Sequence, residues 1–220
     1  MVLTLPMQPQ LNLLMETNIT LYGASGHSKV IIDILNCNSA TIASVIDDHP
    51  KTDTILGLPV IKNTDVDFSK VDQMIISIGN NKVRERISTQ VKVNYVNAIH
   101  PSAIISNAVT LGKGNVIMAG AIINPDAIIG NHCIINTGAV VEHDCHIANF
   151  VHVSPSVSLA GNVTVGQGTH IGIGAKVIQG ITIGKWVTIG AGAVIIKDVP
   201  DYAVVVGNPG KIIKFNKDNE

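Results

Sequence analysis

AIISNAVTLGKGNVIMAGAIINPDAIIG, residues 103–130, decides the fold. Small or β-branched residues stand at Ala103, Val109, Ala121 and Ala127. A branched aliphatic follows each by two places, at Ile105, Leu111, Ile123 and Ile129. The register runs on to about Asp198 in steps of six, through Ala139/Val141, Val151/Val153, Val157/Leu159, Val163/Val165, Ala175/Val177, Ile181/Ile183, Val187/Ile189 and Ala193/Ile195. Six is a multiple of two, so both apolar positions point the same way along a short strand. It is not a helical period. Each unit holds a short strand and a corner, and three units close a triangular coil. Coils stacked about 4.8 Å apart by parallel pairing form a rod of about five coils, roughly 25 Å long. No coil buries its apolar face alone; stacking does that. Glycines one place after the aliphatic, at Gly112, Gly130, Gly166, Gly172, Gly184 and Gly190, read as corners that need positive φ. The period does not set the hand of the coil.

Composition agrees with a narrow prism. The chain is 46% apolar but only 3% aromatic. Fifteen basic and sixteen acidic residues leave a formal charge of -1, so no basic excess exists to neutralise a nucleic-acid backbone. Cys37, Cys133 and Cys145 make no metal-type spacing. The last two fall on the small inward position and read as core thiols, which points to a reducing, cytoplasmic setting. No apolar run is long enough for a membrane span.

Outward from the rod, residues 19–99 read as a small parallel-sheet domain. Ile19-Thr20-Leu21-Tyr22 is a buried strand that runs into Gly23-Ala24-Ser25-Gly26-His27-Ser28-Lys29. A helix over 29–35 follows, then strands over 40–46, 73–78 and 91–96, a short strand near Gly57–Val60, and a helix over 81–90. Alternating strands and helices make βαβ units. The glycine turn lets backbone approach a ligand, and the helix behind it offers free N–H groups to a phosphate. It is only G-x-x-G, which is equally a plain strand–helix turn. Asp47-Asp48 closes strand two, placed to meet a ribose or a base. His100-Pro101-Ser102 is the hinge to the rod, which occupies 100–213. Residues 1–18 read as a loose extension and 214–220 as a frayed tail, with a final strand over 203–206.

Departures from the repeat are the candidate chemistry. Asn136 takes a corner, and Glu142-His143-Asp144 makes a polar triplet at the next. His146, His152 and His170 follow inward residues and so point outward. His152 and His170 are one coil apart on one face. His143 lies one and a half faces before His152; in one chain they do not meet, whereas in a trimer an edge of one rod meets a face of the next. An outward imidazole beside a carboxylate is a general-base candidate; a surface polar ladder is the plainer reading. His143, His146 and His152 are near in sequence, but no suitable further ligand points the same way, so zinc is not expected.

These residues resemble a known family. The sixfold repeat resembles the left-handed parallel β-helix of the hexapeptide acyltransferases. The close, Val204-Val205-Val206-Gly207-Asn208-Pro209-Gly210-Lys211, resembles their V-x-x-G-x-P-A-K ending, with Gly210 in place of alanine. The front, Leu21 to Lys29, resembles the sugar-acetylating subgroup: the sialic acid O-acetyltransferase relatives and the N-acetyltransferases of UDP-4-amino sugars in the bacillosamine pathway. The resemblance implies a Rossmann-like nucleotide-sugar-binding domain followed by a left-handed β-helix. It implies an acetyl-CoA-dependent N-acetyltransferase, without a metal, working as a homotrimer on the 4-amino group of a UDP-linked sugar. It gives His143 as general base, oriented by Asp144. It puts the nucleotide sugar at Gly23, Ser25, Gly26, His27, Lys29, Asp47, Asp48, Asn136 and His152. Acetyl-CoA meets His152, Gly161, Ile173 and Gly180, in a groove between neighbouring rods. O-acetylation of a sialic acid or polysaccharide precursor is the alternative within enzymes. A non-catalytic or metal-binding rod is the alternative outside them.

Overall fold

The computed structural model describes residues 18–216. The extension expected over 1–18 and the end of the tail therefore lie almost wholly outside the described residues. The first unit is a five-stranded sheet of order β3-β4-β2-β1-β5. Its elements are β1 (Ile19–Tyr22), α1 (Gly26–Cys37), β2 (Ile42–Asp47), β3 (Thr54–Ile55), β4 (Leu58–Lys62), β5 (Gln73–Ile76) and α2 (Asn81–Gln90). β1 pairs in parallel with both β2 and β5, and β2 with β4. Order therefore reverses at β1, and the crevice between the C-terminal ends of β1 and β5 is a topological switch point, where open sheets of this kind bind ligands.

Three local expectations need correction. The sheet is not wholly parallel, because β3 folds back antiparallel on β4. Its turn, Leu56-Gly57, has positive φ at both residues, 48° and 80°, the conformation a tight hairpin requires. Second, 91–96 is not a strand. Only Tyr95 bridges to Met74, and the chain then leaves the sheet for the rod. Third, the sequence placed α1 too late; it begins at Gly26, where Ser25 supplies a backbone cap.

α1 lies between sheet and rod. Ile31, Ile32, Ile34 and Leu35 share one buried cluster with Leu21 and Val45 of the sheet and with Val116, Met118 and Ile134 of the rod. The two units thus have a common core. On the other face of the sheet Tyr22, Ile46, Met74 and Ile76 pack with Ile87 of α2.

The rod begins with β6 (Ala98–Ile99), which pairs with Val116–Ile117. Two-residue rungs then repeat every six residues, in three parallel sheets that form a left-handed prism. The first face carries the rungs at Ile104, Ile122, Val140, Ser158, Lys176 and Val194. The second carries those at Thr110, Ile128, His146, Thr164 and Thr182. The third carries Ala98, Val116, Ile134, His152, His170 and Thr188. Inside, Val, Ile, Ala, Cys133 and Cys145 are almost fully buried in one continuous cluster. Each buried Val or Ile contributes about 1.5–3 kcal/mol relative to exposure.

The corner glycines are needed for a reason other than the expected one. Gly112, Gly130, Gly166, Gly172, Gly184 and Gly190 do not have positive φ. They are where successive coils touch. A Cβ on Gly166 would stand 2.5 Å from the carbonyl carbon of Gly184, and one on Gly112 would stand 2.5 Å from the oxygen of Gly130. Left-handed φ falls two residues later, at Gly114, Gly120, Gly138, Gly168, Gly174, Gly180 and Gly192, and at Asp126, His132, Asp144, Phe150, Ser156, Asn162 and Trp186.

The tail is not frayed where it is described. Lys211–Phe215 is a strand paired antiparallel with Ala203–Val206, and it covers the edge at the end of the third face.

Candidate active site

Two groups of candidate residues form, on different parts of the rod. The first is at the corner between the first and second faces. His143 Nδ1 lies 2.7 Å from Asp144 Oδ2, and both side chains are more than half exposed. Asp144 has φ 60, a conformation that aspartate tolerates better than most residues and that turns its carboxylate back on the preceding ring. With Nδ1–H donated to the carboxylate, Nε2 is the free, proton-accepting nitrogen. The Asp144 hydrogen bond raises the His143 pKa, and the charge of Glu142 adds to it. Glu142 itself accepts from Asn124 Nδ2 at 2.8 Å.

Gly161 stands one coil on. A Cβ there would lie 2.6 Å from His143 Cε1 and 2.7 Å from Nε2, so the imidazole rests in the space of the missing side chain. Its carbonyl accepts from the N–H of Gly180, a further coil on. Gly180 has φ +71 and open space where a Cβ would point. His143, Gly161 and Gly180 thus form one column, open to the outside at Gly180. Ile173, 57% exposed, is not on this column; it lies at the corner between the third and first faces.

The second group faces the sheet domain. His152 and His170 stack face to face on the third face, centroids 4.8 Å apart and planes at 4°. His27, from the first turn of α1, approaches His152 at 6.4 Å. His152 Nε2 sits 3.1 Å from Asn136 Nδ2, and His170 Nε2 sits 2.9 Å from Ser154 Oγ. The amide donates to His152 Nε2, which leaves that ring's proton on Nδ1. Nδ1 is buried without a hydrogen-bond partner among the described residues, and the Gly79 backbone lies close to the ring. His27 Nε2 is also buried without a partner among the described residues. Burial, and then the charges of His170, Arg84 and His27, push His152 down to about 3. Burial and Arg84 push His27 down to about 4 and also lower His170. The wall is neutral at pH 7.

The glycine turn borders this wall. Gly23 is obligatory: its φ is +119 and a Cβ would meet Ile78 Cγ1 at 2.5 Å. Ser25 and Gly26 are exposed, with open space over Gly26, and Lys29 is exposed on α1. The acidic pair is turned inward to the protein. Asp47 accepts from the N–H groups of Ala24, at 2.7 Å, and His49, at 2.8 Å, and so shapes the turn. Asp48 accepts from Tyr22 Oη and Asn63 Nδ2. Burial, then that bond to Asp48, raises Tyr22 to about 12.

His143 and His152 do not come together within one chain: one is on a corner and the other is on the face opposite. His146 points out on the second face, with Nδ1 3.2 Å from the Asp144 carbonyl oxygen. Sequence reasoning missed the segment Ser77–Asn80, which forms the far wall of the switch-point crevice. Only the strand order reveals it. Beyond it a cleft of ≈ 260 Å³ runs between Gly79–Lys82 and the rod's Gly168, His170, Trp186 and Tyr202. Among the described residues no cluster of three metal-ligating side chains occurs, and no helix is long and apolar enough to cross a membrane.

A hexapeptide rod with a carboxylate-held imidazole on its corner and a switch-point crevice beside it defines the class of hexapeptide-repeat acyltransferases. Residues 18–91 match the PglD N-terminal domain, and 108–143 and 162–197 match the bacterial transferase hexapeptide (six repeats). UDP-N-acetylbacillosamine N-acetyltransferase of Bacillus subtilis (strain 168) is 43% identical over 106 residues, 44% of this chain and 49% of that protein. The match thus spans about half the length of that curated relative. A variant of perosamine N-acetyltransferase from Caulobacter crescentus, in complex with CoA and GDP-perosamine, superposes with a TM-score of 0.86 at 39% identity, over 90% of this chain and 97% of that one. The acetyltransferase domain of PglB from Neisseria gonorrhoeae FA1090, in complex with acetyl coenzyme A, gives 0.82 at 34% identity, over 90% and 99%. The chain belongs to the bacterial sugar-nucleotide N- and O-acetyltransferase family.

Proposed function

We propose that the protein transfers the acetyl group of acetyl-CoA to the amino group of a nucleotide-linked amino sugar, and that His143 is the general base. One observation carries the reading. The imidazole is held by Asp144 on one nitrogen, is free on the other, and rests where Gly161 has no side chain. The amine nitrogen attacks the thioester carbonyl and gives up a proton to His143 Nε2. The tetrahedral intermediate collapses with loss of the CoA sulfur, which takes that proton as it leaves. Asp144 fixes the tautomer and supports the imidazolium. We assign the developing oxyanion to the Gly161 N–H, and the thioester arm to the surface running from Gly161 to Gly180. His152, held by Asn136, belongs to the acceptor and acetyl side, with Gly23, Ser25, Gly26, His27 and Lys29 around the phosphates. Asp47 and Asp48 act behind them. Asp47 does so by shaping the turn.

His143 and His152 are on different sides of one rod, so the reading requires a trimer in which a corner meets the neighbour's third face. Ile173 then joins the donor groove from the neighbouring rod. For the acceptor we propose a UDP-linked sugar with a free 4-amino group, supported by the Bacillus relative's name. The GDP-perosamine in the Caulobacter complex favours a GDP-linked 4-amino sugar as the second reading. Acetyl-CoA turnover with UDP- and GDP-linked 4-amino sugars, and with hydroxyl acceptors, decides between them. His143→Ala is expected to lower turnover about 10²-fold or more with CoA affinity retained. Unchanged turnover removes His143 from the mechanism.

A further inference from the structure

The corner between the second and third faces differs from the other two. It carries bulky rings in left-handed conformation: His132, Phe150 and Trp186, with φ of 55, 61 and 55. Each such residue is strained by about 1–2 kcal/mol, so something else must favour them there. His132 stacks on Phe150, and Tyr95 of the sheet domain meets the His132 ring edge-on at 4.6 Å. This is where α2 docks.

Arg84 of α2 is 1% exposed at that contact. All five of its N–H groups find an oxygen. Nε donates to the His132 carbonyl at 2.7 Å. One terminal nitrogen donates to the carbonyls of Ile78, at 2.9 Å, and Gly79, at 3.2 Å. The other donates to Asn81 Oδ1, at 2.8 Å, and the Phe150 carbonyl, at 3.0 Å. Asn81 in turn donates to the carbonyls of Gly168 and Thr169. Two side chains one helical turn apart thus grip three successive coils, at 132, 150 and 168. The same guanidinium holds the Ile78-Gly79 segment that faces His152.

Among the described residues no carboxylate neutralises Arg84, and burial lowers it only to about 10, so it stays charged. A buried, unpaired cation is a costly way to join two units that already share an apolar core. A planar fork with five donors does what an apolar residue cannot: it fixes a loop and a rod at set angles to one another.

We propose that Arg84, with Asn81, is a positioning residue of the acyl-transfer site, setting Ser77–Asn80 against the wall of His27, His152 and His170 and so fixing where the acceptor sugar lies. The proposal rests on the acyl-transfer reading above, with the acceptor in the crevice and the donor on the His143 corner. It touches the acceptor side only.

The test uses the full-length protein. Arg84→Lys keeps the charge and loses the fork. It is expected to raise KM for the nucleotide-linked amino sugar about 10-fold or more while KM for acetyl-CoA stays within about 2-fold. Amide exchange should quicken across 77–80 and stay slow in the coils at 134–153. Asn81→Ala, a milder change, should move both readouts in the same direction. Arg84→Lys that folds with acceptor KM unchanged, or with both KM values raised alike, overturns the proposal. If the wild-type protein acetylates no nucleotide-linked amino sugar, the functional reading is what fails. Amide exchange then judges the staple alone, and unaltered protection at 77–80 in Arg84→Lys overturns it.

Discussion

The imidazole of His143 owes its place to an absence. Gly161 supplies no Cβ, and the ring occupies that space while Asp144 holds its other side. Asp144 also raises the ring's pKa, so the deprotonated base accumulates only at higher pH than for a free histidine. Turnover should therefore rise with pH through that raised value. Asp144→Asn removes the charge but keeps a residue that tolerates φ near 60. Its rate–pH profile is expected to shift to lower pH, with a lower plateau. A shift to higher pH, or none, would show that the carboxylate does not act through His143. The pair was legible in the sequence, because a polar triplet falls together at one corner of an unbroken apolar register. Arg84 was not legible. On a helix with a charged face, a buried arginine and its exposed neighbours Lys82 and Arg86 look alike until the rod is packed against it.

At the scale of elements the hexad has two distinct glycine positions. Gly166 has no room for a Cβ, with the Gly184 carbonyl carbon 2.5 Å away, but an ordinary φ. Gly180 has room but φ +71. Gly166→Ala forces coils apart and should cost about 1–3 kcal/mol, as overpacking does. Gly180→Ala should cost only about 1 kcal/mol from its backbone conformation. Thermal unfolding of the two variants checks this; an equal or reversed order would mean that coil spacing is not what the corner glycines protect. Sequence periodicity located the Gly166 position but assigned it the positive φ that belongs two residues further on in the hexad, the place Gly180 holds. It also misread two segments for opposite reasons. Val91–Val96 alternates like a strand yet has only Met74 to pair with, at Tyr95. Lys211–Phe215 carries two lysines in five residues, yet is a strand because Val204 and Val205 leave an edge to cover.

At the scale of the molecule the prism separates the two groups of candidate residues. His143 is on one corner, while His152, His170 and the sheet domain are on the face opposite. The proposed assembly therefore has a direct test. His143→Ala and His152→Ala subunits, each expected to be strongly impaired alone, should regain activity when co-assembled, up to roughly a quarter of wild type for random mixing around a heterologous interface. No recovery from mixed trimers would place both histidines' work within one subunit.

The sequence by itself determined the rod, its three faces, its inward aliphatics and the outward His152–His170 column, because a sixfold period admits one direction for each side chain. Tertiary structure alone decided which strand ends form the crevice, what Asp47 and Asp48 hold, and how Arg84 joins α2 to three coils. Those contacts link residues far apart in the chain, and no local pattern records which carbonyl a distant side chain will find.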